Sequence, residues 1–155
     1  ITDNPVWITG IGQKTTSAGF TKNETFSSME STKLSGQDAL KMSNHTIHDI
    51  DVAEVHDAFS VCEPMALESL GFSDYGKGMS MINDLYETNN FKINPRGGLI
   101  GSGHPLGATG ISQTIEIAQQ IQSNSNKRQV DNANVGLVHN MSAAATSSTV
   151  LVLEK

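Results

Sequence analysis

The sequence of 155 residues lacks most features that would place it in several common classes of protein. Its single cysteine, Cys62, excludes an intrachain disulfide and a cysteine-based zinc site, and it fits a reducing compartment. No apolar run reaches the 18 residues of a membrane-spanning helix, so no membrane partner is expected. Lysine and arginine total 10 against 16 acidic residues, with one adjacent basic pair at 127–128. Nucleic-acid binding is therefore not expected either.

One stretch, residues 94–110, concentrates residues that the chain otherwise uses sparingly. It reads NPRGGLIGSGHPLGATG and holds six of the 14 glycines, two of the four prolines and His104. Glycine at this density lets the backbone take positive φ and approach a ligand closely. A histidine in such a turn is held on rigid, exposed backbone, as catalytic imidazoles commonly are. The alternative is a strand-to-helix turn whose histidine only caps a neighbouring group.

Apolar periodicity predicts the elements around this stretch. It predicts strands over 6–13, within 47–57, over 135–139 and over 149–153. It predicts helices over 29–42, from about 64 to 70, and after Gly107, the last with an apolar face of Ile111, Ile115, Ala118 and Ile121. Residues 14–28 and 73–93 read as irregular and polar. This order of strands and helices predicts a layered α/β domain.

The second predicted helix has signals at both ends. Ser60 and Glu63 have the spacing of a capping box, and Pro64 suits a first helical turn. Gly71 is placed to end the helix.

The run GHPLGATG, preceded by NPRGG, resembles the signature of the carboxy-terminal half of thiolases. Within this family, the run most resembles the sterol-carrier-protein type and the lipid-transfer-protein thiolases, which are acetyl-CoA acetyltransferase-like. Further matching pieces follow in the family's order: VHDAFS at 55–60, EPMALESLGF at 63–72, KRQV at 127–130 and GLVHN at 136–140. The resemblance implies an α/β thiolase-like fold with a mixed five-stranded sheet layered with helices. Residues 1–155 would form a single carboxy-terminal domain, half of a larger two-domain thiolase, which also fits a start without methionine.

The resemblance implies specific roles for several residues. His104 would activate a nucleophilic cysteine carried by the amino-terminal half and line an oxyanion hole, because the thiolate is the attacking species. His56 would help hold the oxyanion-hole water or the substrate. Lower-ranked candidates that line the site are His139, Asn140, Gly103 and Asn94. The implied reaction is thiolytic cleavage of 3-oxoacyl-CoA or Claisen condensation of acyl-CoA, with a CoA thioester as substrate and no bound cofactor.

The sequence departs from the family at the second catalytic cysteine. The sterol-carrier type has HDCF where this chain has Ala58, and other thiolases have a Cys-x-Gly loop about where this chain has Asn140. Cys62 is expected to be a buried small hydrophobe and not a relocated acid/base. Deprotonation of the acyl α-carbon would then fall to His56, His139 or another group. A carbon–carbon lyase (retro-aldolase) on acyl-CoA and a non-catalytic acyl-CoA or lipid-binding homologue therefore stay open.

Metal binding, partners and compartment follow from smaller observations. His45, His48 and the pair His56–Asp57 are spaced H-x2-H-x7-H-D, but no second close pair completes a tetrahedral set, so no metal is expected. The implied partners are the amino-terminal half, further copies in a homodimer or tetramer, and a small OB-fold protein. A cytoplasmic location is predicted. The peroxisomal matrix is the alternative location. The final residues VLVLEK are not a peroxisomal address, which weakens this alternative.

Overall fold

A computed structural model describes residues 3–17, 28–90 and 92–155 of the chain. These residues fold around one mixed β-sheet. Its strands are β1 (Trp7–Thr15), β2 (Val52–Glu54), β3 (Val135–Met141) and β4 (Ser147–Glu154). The order in the sheet is β1-β4-β3-β2, antiparallel except for the β2–β3 pair. The four predicted strands are confirmed with small shifts of their ends. Most of the predicted loop over 14–28 lies outside the described residues.

The predicted fifth strand is wrong, because the described residues form four. Where a fifth strand would lie beside β2, Ile93 makes a single parallel bridge to Ala53. The Ala53 N–H donates to Lys92 O at 2.9 Å, and the Asn94 N–H donates to Ala53 O at 2.8 Å. Asn94 then takes a left-handed φ of 48° and is followed by Pro95, which has no N–H to extend a ladder. The pairing therefore stops after one residue.

Five α-helices lie in the described part of the chain. They are α1 (Glu30–Ser43), α2 (Cys62–Leu70), α3 (Gly78–Glu87), α4 (Gly98–Ser102) and α5 (Thr109–Ile121). Helices α1 and α5 pack directly on the sheet. The predictions of α1, α2 and α5 are confirmed, and Gly71 ends α2 with a φ of 91° as expected. The predicted capping box is not formed. The N-cap of α2 is Val61, so Ser60 lies one residue too early to cap the helix.

Helix α3 replaces part of the region predicted to be irregular. Five of its ten residues are apolar or aromatic, and three of them, Met81, Ile82 and Leu85, pack against the core at helical spacing. Gly78 starts the helix against α2, where a methyl group would come within 2.5 Å of Pro64 O. The helical spacing of these apolar residues can be read in the sequence, and the prediction of an irregular, polar segment here is wrong.

Two apolar clusters pack on opposite faces of the sheet, and strand side chains alternate between the faces. One cluster lies against α1 and α2 and includes Ala53, Leu67, Leu137, Val150 and Val152. The other lies against α5 and includes Val52, Ile117, Ile121, Val138 and Leu153. Burial of each large aliphatic side chain contributes roughly 2 kcal/mol. No helix in the described ranges is long and apolar enough to cross a bilayer.

The apolar residues whose spacing predicted helix α5 lie only partly against the sheet. Ile111 and Ile115 are 64% and 51% exposed, whereas Ile121 is buried. The side towards the domain carries Ile117 together with buried polar residues, namely Thr109, Gln113, Glu116 and Gln120. The predicted apolar stripe therefore points, at its amino-terminal end, away from this domain.

Candidate active site

The structure brings His56 and His104 together. His56 lies two residues beyond β2, and His104 lies two residues beyond α4, inside the glycine stretch. Their ring centroids are 4.8 Å apart and their planes are nearly perpendicular, at 89°. Residues 48 positions apart in sequence therefore form one pair of imidazoles.

The glycine stretch is held at this place by Asp57. The Asp57 Oδ1 accepts a hydrogen bond from the Leu99 N–H, at the start of α4, at 2.6 Å. Gly98 has a φ of 62°, and a methyl group there would overlap the Asp57 carboxylate. Glycine is needed at this position because both the conformation and the space exclude a side chain. Asp57 thus anchors the segment that leads to His104.

Asn94 lies near Asp57 and holds the local structure through its side-chain amide. Its Oδ1 accepts from the Val55 N–H at 2.8 Å, and its Nδ2 donates to Glu63 Oε1 at 3.2 Å. It lines a neighbouring recess with Asp57 and Pro95, and not the space in front of the histidine pair. Gly103, with a φ of 87°, turns the chain immediately before His104 and donates its N–H to Leu99 O at 2.9 Å.

A hydrogen bond to Thr109 defines the tautomer of His104. The Thr109 hydroxyl donates to Pro105 O at 3.1 Å, so its oxygen accepts from His104 Nδ1 at 2.7 Å. Nδ1 then carries the proton, and Nε2 keeps a lone pair that can take a proton. Sequence reasoning missed Thr109. Its signal is a hydroxyl at the first position of α5, five residues after the histidine.

His56 is a neutral imidazole. It is 5% exposed, and burial, followed by the proximity of His104, lowers its pKa to about 4. Its Nδ1 is buried and has no hydrogen-bond partner among the described residues. A neutral ring beside His104 does not repel the proton that His104 would take up.

His139 lies behind the pair and is fully buried. Its Nδ1 accepts from the His56 N–H at 3.4 Å, and its Nε2 lies 3.0 Å from Thr32 Oγ1. Burial, with a smaller effect of His56, lowers its pKa to about 3. With both nitrogens engaged inside the protein, His139 supports His56 and has no free atom for a substrate.

These residues border a cleft of about 920 Å³, which we name the histidine cleft. Its polar side includes His56, His104 and Asn140, and Asn140 Nδ2 donates to Gln113 Oε1 of α5 at 2.9 Å. Its apolar side includes Met29, Phe59, Cys62, Met65, Leu106 and Met141. Cys62 is buried, as predicted, and burial raises the pKa of its thiol.

The candidate metal ligands of the sequence are dispersed. His45 Nε2 pairs with Glu154 Oε2 at 2.6 Å, and His48 lies in an exposed 3-10 turn at Ile47–Asp49. Within the described ranges, no group of three His, Cys, Asp or Glu side chains is arranged to hold a metal ion.

Comparison with known proteins assigns the family. Residues 12–155 match the family described as Thiolase C-terminal domain-like. The chain belongs to this family. The match includes the glycine stretch and the residues of the histidine cleft.

Longer relatives contain this thiolase C-terminal domain as one part. The chain is 34% identical to an acetyl-CoA acetyltransferase of Methanothermobacter thermautotrophicus, over 99% of the chain and 41% of that protein. It is 42% identical to human sterol carrier protein 2, over 70% of the chain and 20% of that protein. The chain thus spans about two fifths or less of these relatives.

A solved structure confirms the fold of the thiolase C-terminal domain. The structure of the Ltp2-ChsH2(DUF35) aldolase superposes with a TM-score of 0.84 at 21% identity, over 97% of this chain and 40% of that one. At this identity the similarity concerns the fold.

In this thiolase C-terminal domain, both positions expected for a second catalytic cysteine face the histidine cleft. Ala58 and Asn140 line it, and neither carries a thiol. Cys62 supplies the chain's only thiol, on the apolar side.

Proposed function

We propose that this chain supplies the histidine half of an acyl-CoA acyltransferase active site of the thiolase type. The observation that carries the proposal is the pair of His104, with an available Nε2, and neutral His56, on the wall of one cleft. The reaction is thiolytic cleavage of 3-oxoacyl-CoA or, in reverse, Claisen condensation of acyl-CoA. The substrate is a CoA thioester, and no bound cofactor is proposed.

The proposed chemistry divides between the two rings. In thiolysis, His104 Nε2 takes the proton of a cysteine thiol and the thiolate adds to the 3-oxo carbon. The Cα–Cβ bond then breaks, the acyl group stays on the cysteine, and the released acyl-CoA enolate takes the proton held by His104. The thiol of CoA next gives its proton to His104 and attacks the acyl-cysteine carbonyl, which releases the shortened acyl-CoA and returns the proton to the cysteine.

In each addition, negative charge develops on the carbonyl oxygen, where N–H donors of the two imidazoles or a water held by His56 can stabilise it. The hydrogen bond from His104 Nδ1 to the Thr109 hydroxyl holds the orientation of the imidazole ring while Nε2 takes up and releases the proton. Each such contribution is typically worth about 10² to 10⁴ in rate.

The attacking cysteine is proposed to come from an amino-terminal half. Cys62 is a poor nucleophile because burial favours its protonated thiol. An apolar groove of about 580 Å³ between α5 and the sheet, lined by Ile8, Leu106, Ile111 and Ile115, is a surface on which that half can pack. The greater length of the relatives supports such a partner. Assembly as a homodimer or tetramer, and association with a small OB-fold protein, belong to the same proposal.

The apolar side of the histidine cleft suits the acyl part of the substrate. It presents three methionines, Met29, Met65 and Met141, together with Phe59 and Leu106. Methionine side chains adapt their shape to different apolar groups. An acyl chain on this side leaves the thioester carbonyl towards His56 and His104.

The test measures CoA-dependent cleavage of 3-oxoacyl-CoA by the full protein that contains this chain. We expect wild-type protein to release a shortened acyl-CoA, and His104→Ala to lower kcat/KM by about 10³ or more. His48→Ala, which removes an exposed histidine outside the cleft, is the matched control and is expected to have no effect. Wild-type protein that releases no shortened acyl-CoA would contradict the acyltransferase proposal.

The second candidate is a carbon–carbon lyase acting on a β-hydroxyacyl-CoA. The lack of a thiol at Ala58 and Asn140 favours it, and the superposed structure is that of a protein named an aldolase. Here a base removes the β-hydroxyl proton, the Cα–Cβ bond breaks to give a carbonyl compound, and the acyl-CoA enolate is reprotonated. Cleavage of a β-hydroxyacyl-CoA without added CoA, with no thiolysis, identifies this activity. Binding of acyl-CoA without either cleavage identifies the non-catalytic homologue.

A further inference from the structure

A chain of buried hydroxyl groups runs from His139 to the loop between β3 and β4. His139 Nε2 lies 3.0 Å from Thr32 Oγ1, and Thr32 Oγ1 lies 2.9 Å from Ser148 Oγ. Ser148 Oγ lies 2.8 Å from Ser31 Oγ, which donates to Ala145 O at 2.6 Å. The four side chains are at most 1% exposed. The chain joins the first turn of α1 to both central strands.

The direction of every hydrogen bond in the chain follows from its last member. Ser31 has one hydroxyl hydrogen and gives it to Ala145 O, so Ser148 must donate to Ser31. Thr32 must then donate to Ser148, and His139 Nε2–H must donate to Thr32. This leaves a lone pair on His139 Nδ1, which is the atom that accepts from the His56 N–H. One tautomer of His139 satisfies all of these groups.

The opposite tautomer is disfavoured by burial. A proton on Nδ1 would face the His56 N–H, and the Nε2 lone pair would turn Thr32 away from Ser148. Buried donors that lose their partners are costly, since no water replaces the bond. Burial also keeps the ring neutral by lowering the pKa of His139. The chain ends on a carbonyl, which has no proton to pass on, so it fixes orientation and does not conduct protons out of the cleft.

Each end of the chain contacts a residue that lines the histidine cleft. At one end His139 holds the backbone of His56, whose ring contacts His104. At the other end Ala144 and Ala145 line the cleft with left-handed φ values of 57° and 52°. Such conformations are strained for alanine and need support from their surroundings. The bond from Ser31 to Ala145 O is one such support.

We propose that Thr32 is a positioning residue of the active site, which fixes the tautomer of His139 and thereby the placement of His56 relative to the Ala144–Ala145 wall. The consequence for turnover rests on the proposed function. The consequence for the tautomer does not, because it follows from the hydrogen bonds of this domain.

The test compares three variants of the full protein. Thr32→Val deletes the hydroxyl and keeps the branched shape, whereas Thr32→Ser keeps the hydroxyl. Ser35→Ala is the matched control, because Ser35 is a buried hydroxyl of the same helix. It donates to the backbone carbonyl of Thr32 at 3.1 Å and, among the described residues, bonds to no side chain of the hydroxyl chain. Nitrogen-15 NMR of labelled histidine rings reports the tautomer, with His139→Gln used to assign the signal.

We expect wild-type protein and Thr32→Ser to show His139 as the Nε2–H tautomer, and Thr32→Val to show a mixture. In thiolysis we expect Thr32→Val to lower kcat about 10-fold with KM changed less than twofold. Thr32→Ser and Ser35→Ala are expected to stay within about threefold of wild type. An Nδ1–H tautomer in wild-type protein, or an unchanged tautomer in Thr32→Val, overturns the proposal. Loss of activity in Ser35→Ala equal to that in Thr32→Val also overturns it.

The two readouts separate the failure of this proposal from that of the proposed function. A full protein without thiolysis activity refutes the acyltransferase while the tautomer measurement still decides the role of Thr32. A thiolysis-competent protein with an unaltered tautomer in Thr32→Val refutes the role of Thr32 alone.

Discussion

Glu54 is a buried carboxyl group two residues from His56. Burial raises its pKa to about 7, against the opposing effect of Arg96, and the carboxylates of Glu116 and Asp57 raise it further. The Arg96 N–H donates to Oε1 at 3.3 Å, while Arg96 Nε lies 3.8 Å from Oε2. The group therefore links the end of β2 to the start of the glycine stretch and changes charge near neutral pH.

We predict that Glu54 makes stability fall as pH rises. The native pKa lies above the unfolded value of 4.5, so between pH 4.5 and 7 the native state binds more protons than the unfolded state. The stabilising contribution is complete below pH 4.5 and is lost as pH rises through 7. The Glu54→Gln variant lacks this pH-dependent contribution. Its free energy of unfolding relative to wild type should therefore increase by roughly 3 kcal/mol between pH 4.5 and 8.

Urea denaturation at the two pH values measures this difference. The exposed Glu87→Gln is the control and should follow wild type at both. A difference between Glu54→Gln and wild type that does not change with pH contradicts the assignment.

At the scale of elements, the short helix α4 connects the two catalytic candidates. The Leu99 N–H in its first turn donates to the Asp57 carboxylate, next to His56, and its carboxy-terminal end leads to His104. The 4.8 Å distance between the two rings therefore depends on how closely α4 approaches the end of β2.

We predict that Gly98→Ala separates the two histidines. The added methyl group overlaps the Asp57 carboxylate and is strained at a φ of 62°, so α4 must move. We expect kcat/KM for thiolysis to fall at least 10-fold and the melting temperature to decrease. Gly101→Ala is the control, because a methyl group there meets nothing within 4 Å. Equal activity in the two variants would count against this role of α4.

Several elements could be predicted from sequence because their patterns are local. The strands, α1, α2 and α5 follow from apolar spacing, and Gly71 marks the end of α2. The outward side of α5 could not be predicted, because periodicity shows that Ile111 and Ile115 share a side but not what covers it. The fifth strand was expected from the family, and it fails here at Asn94 and Pro95.

The candidate site was predictable in part for a similar reason. His56 and His104 stand in motifs that can be read locally, and the structure brings them into contact. The hydroxyl chain of Ser31, Thr32 and Ser148 joins residues more than 100 positions apart. Serine and threonine are common in this sequence, so nothing local distinguishes these three. Thr109 had a local signal, at the start of a helix after the histidine.

At the scale of the whole molecule, four of the exposed apolar residues lie together where a partner can cover them. Ile8 of β1, Ile111 and Ile115 of α5, and Leu106 border the groove between α5 and the sheet. The polar residues of α5 face inwards instead. Polar residues towards the sheet and apolar residues away from it are expected for a helix whose outer side packs against a second layer.

We predict that Ile115→Asp prevents association with the amino-terminal half without unfolding this domain. The substituted carboxylate would be buried without a partner in the assembled protein, whereas in the separate domain it is solvated. Co-purification of the two halves, expressed as separate chains, measures association, and circular dichroism measures folding. Met42→Asp is the control, since Met42 is exposed at the end of α1 and away from the groove. Undiminished co-purification of Ile115→Asp would contradict this use of the groove.

The most direct test of the central claim follows acyl transfer from acyl-CoA to the full protein by intact-protein mass spectrometry. If His104 is the base for a cysteine of the partner half, wild-type protein gains the mass of one acyl group per active site. His104→Ala should then be acylated at least 100-fold more slowly, and His48→Ala at the wild-type rate. Acylation of His104→Ala at the wild-type rate, or no acyl adduct on wild-type protein, would contradict the account.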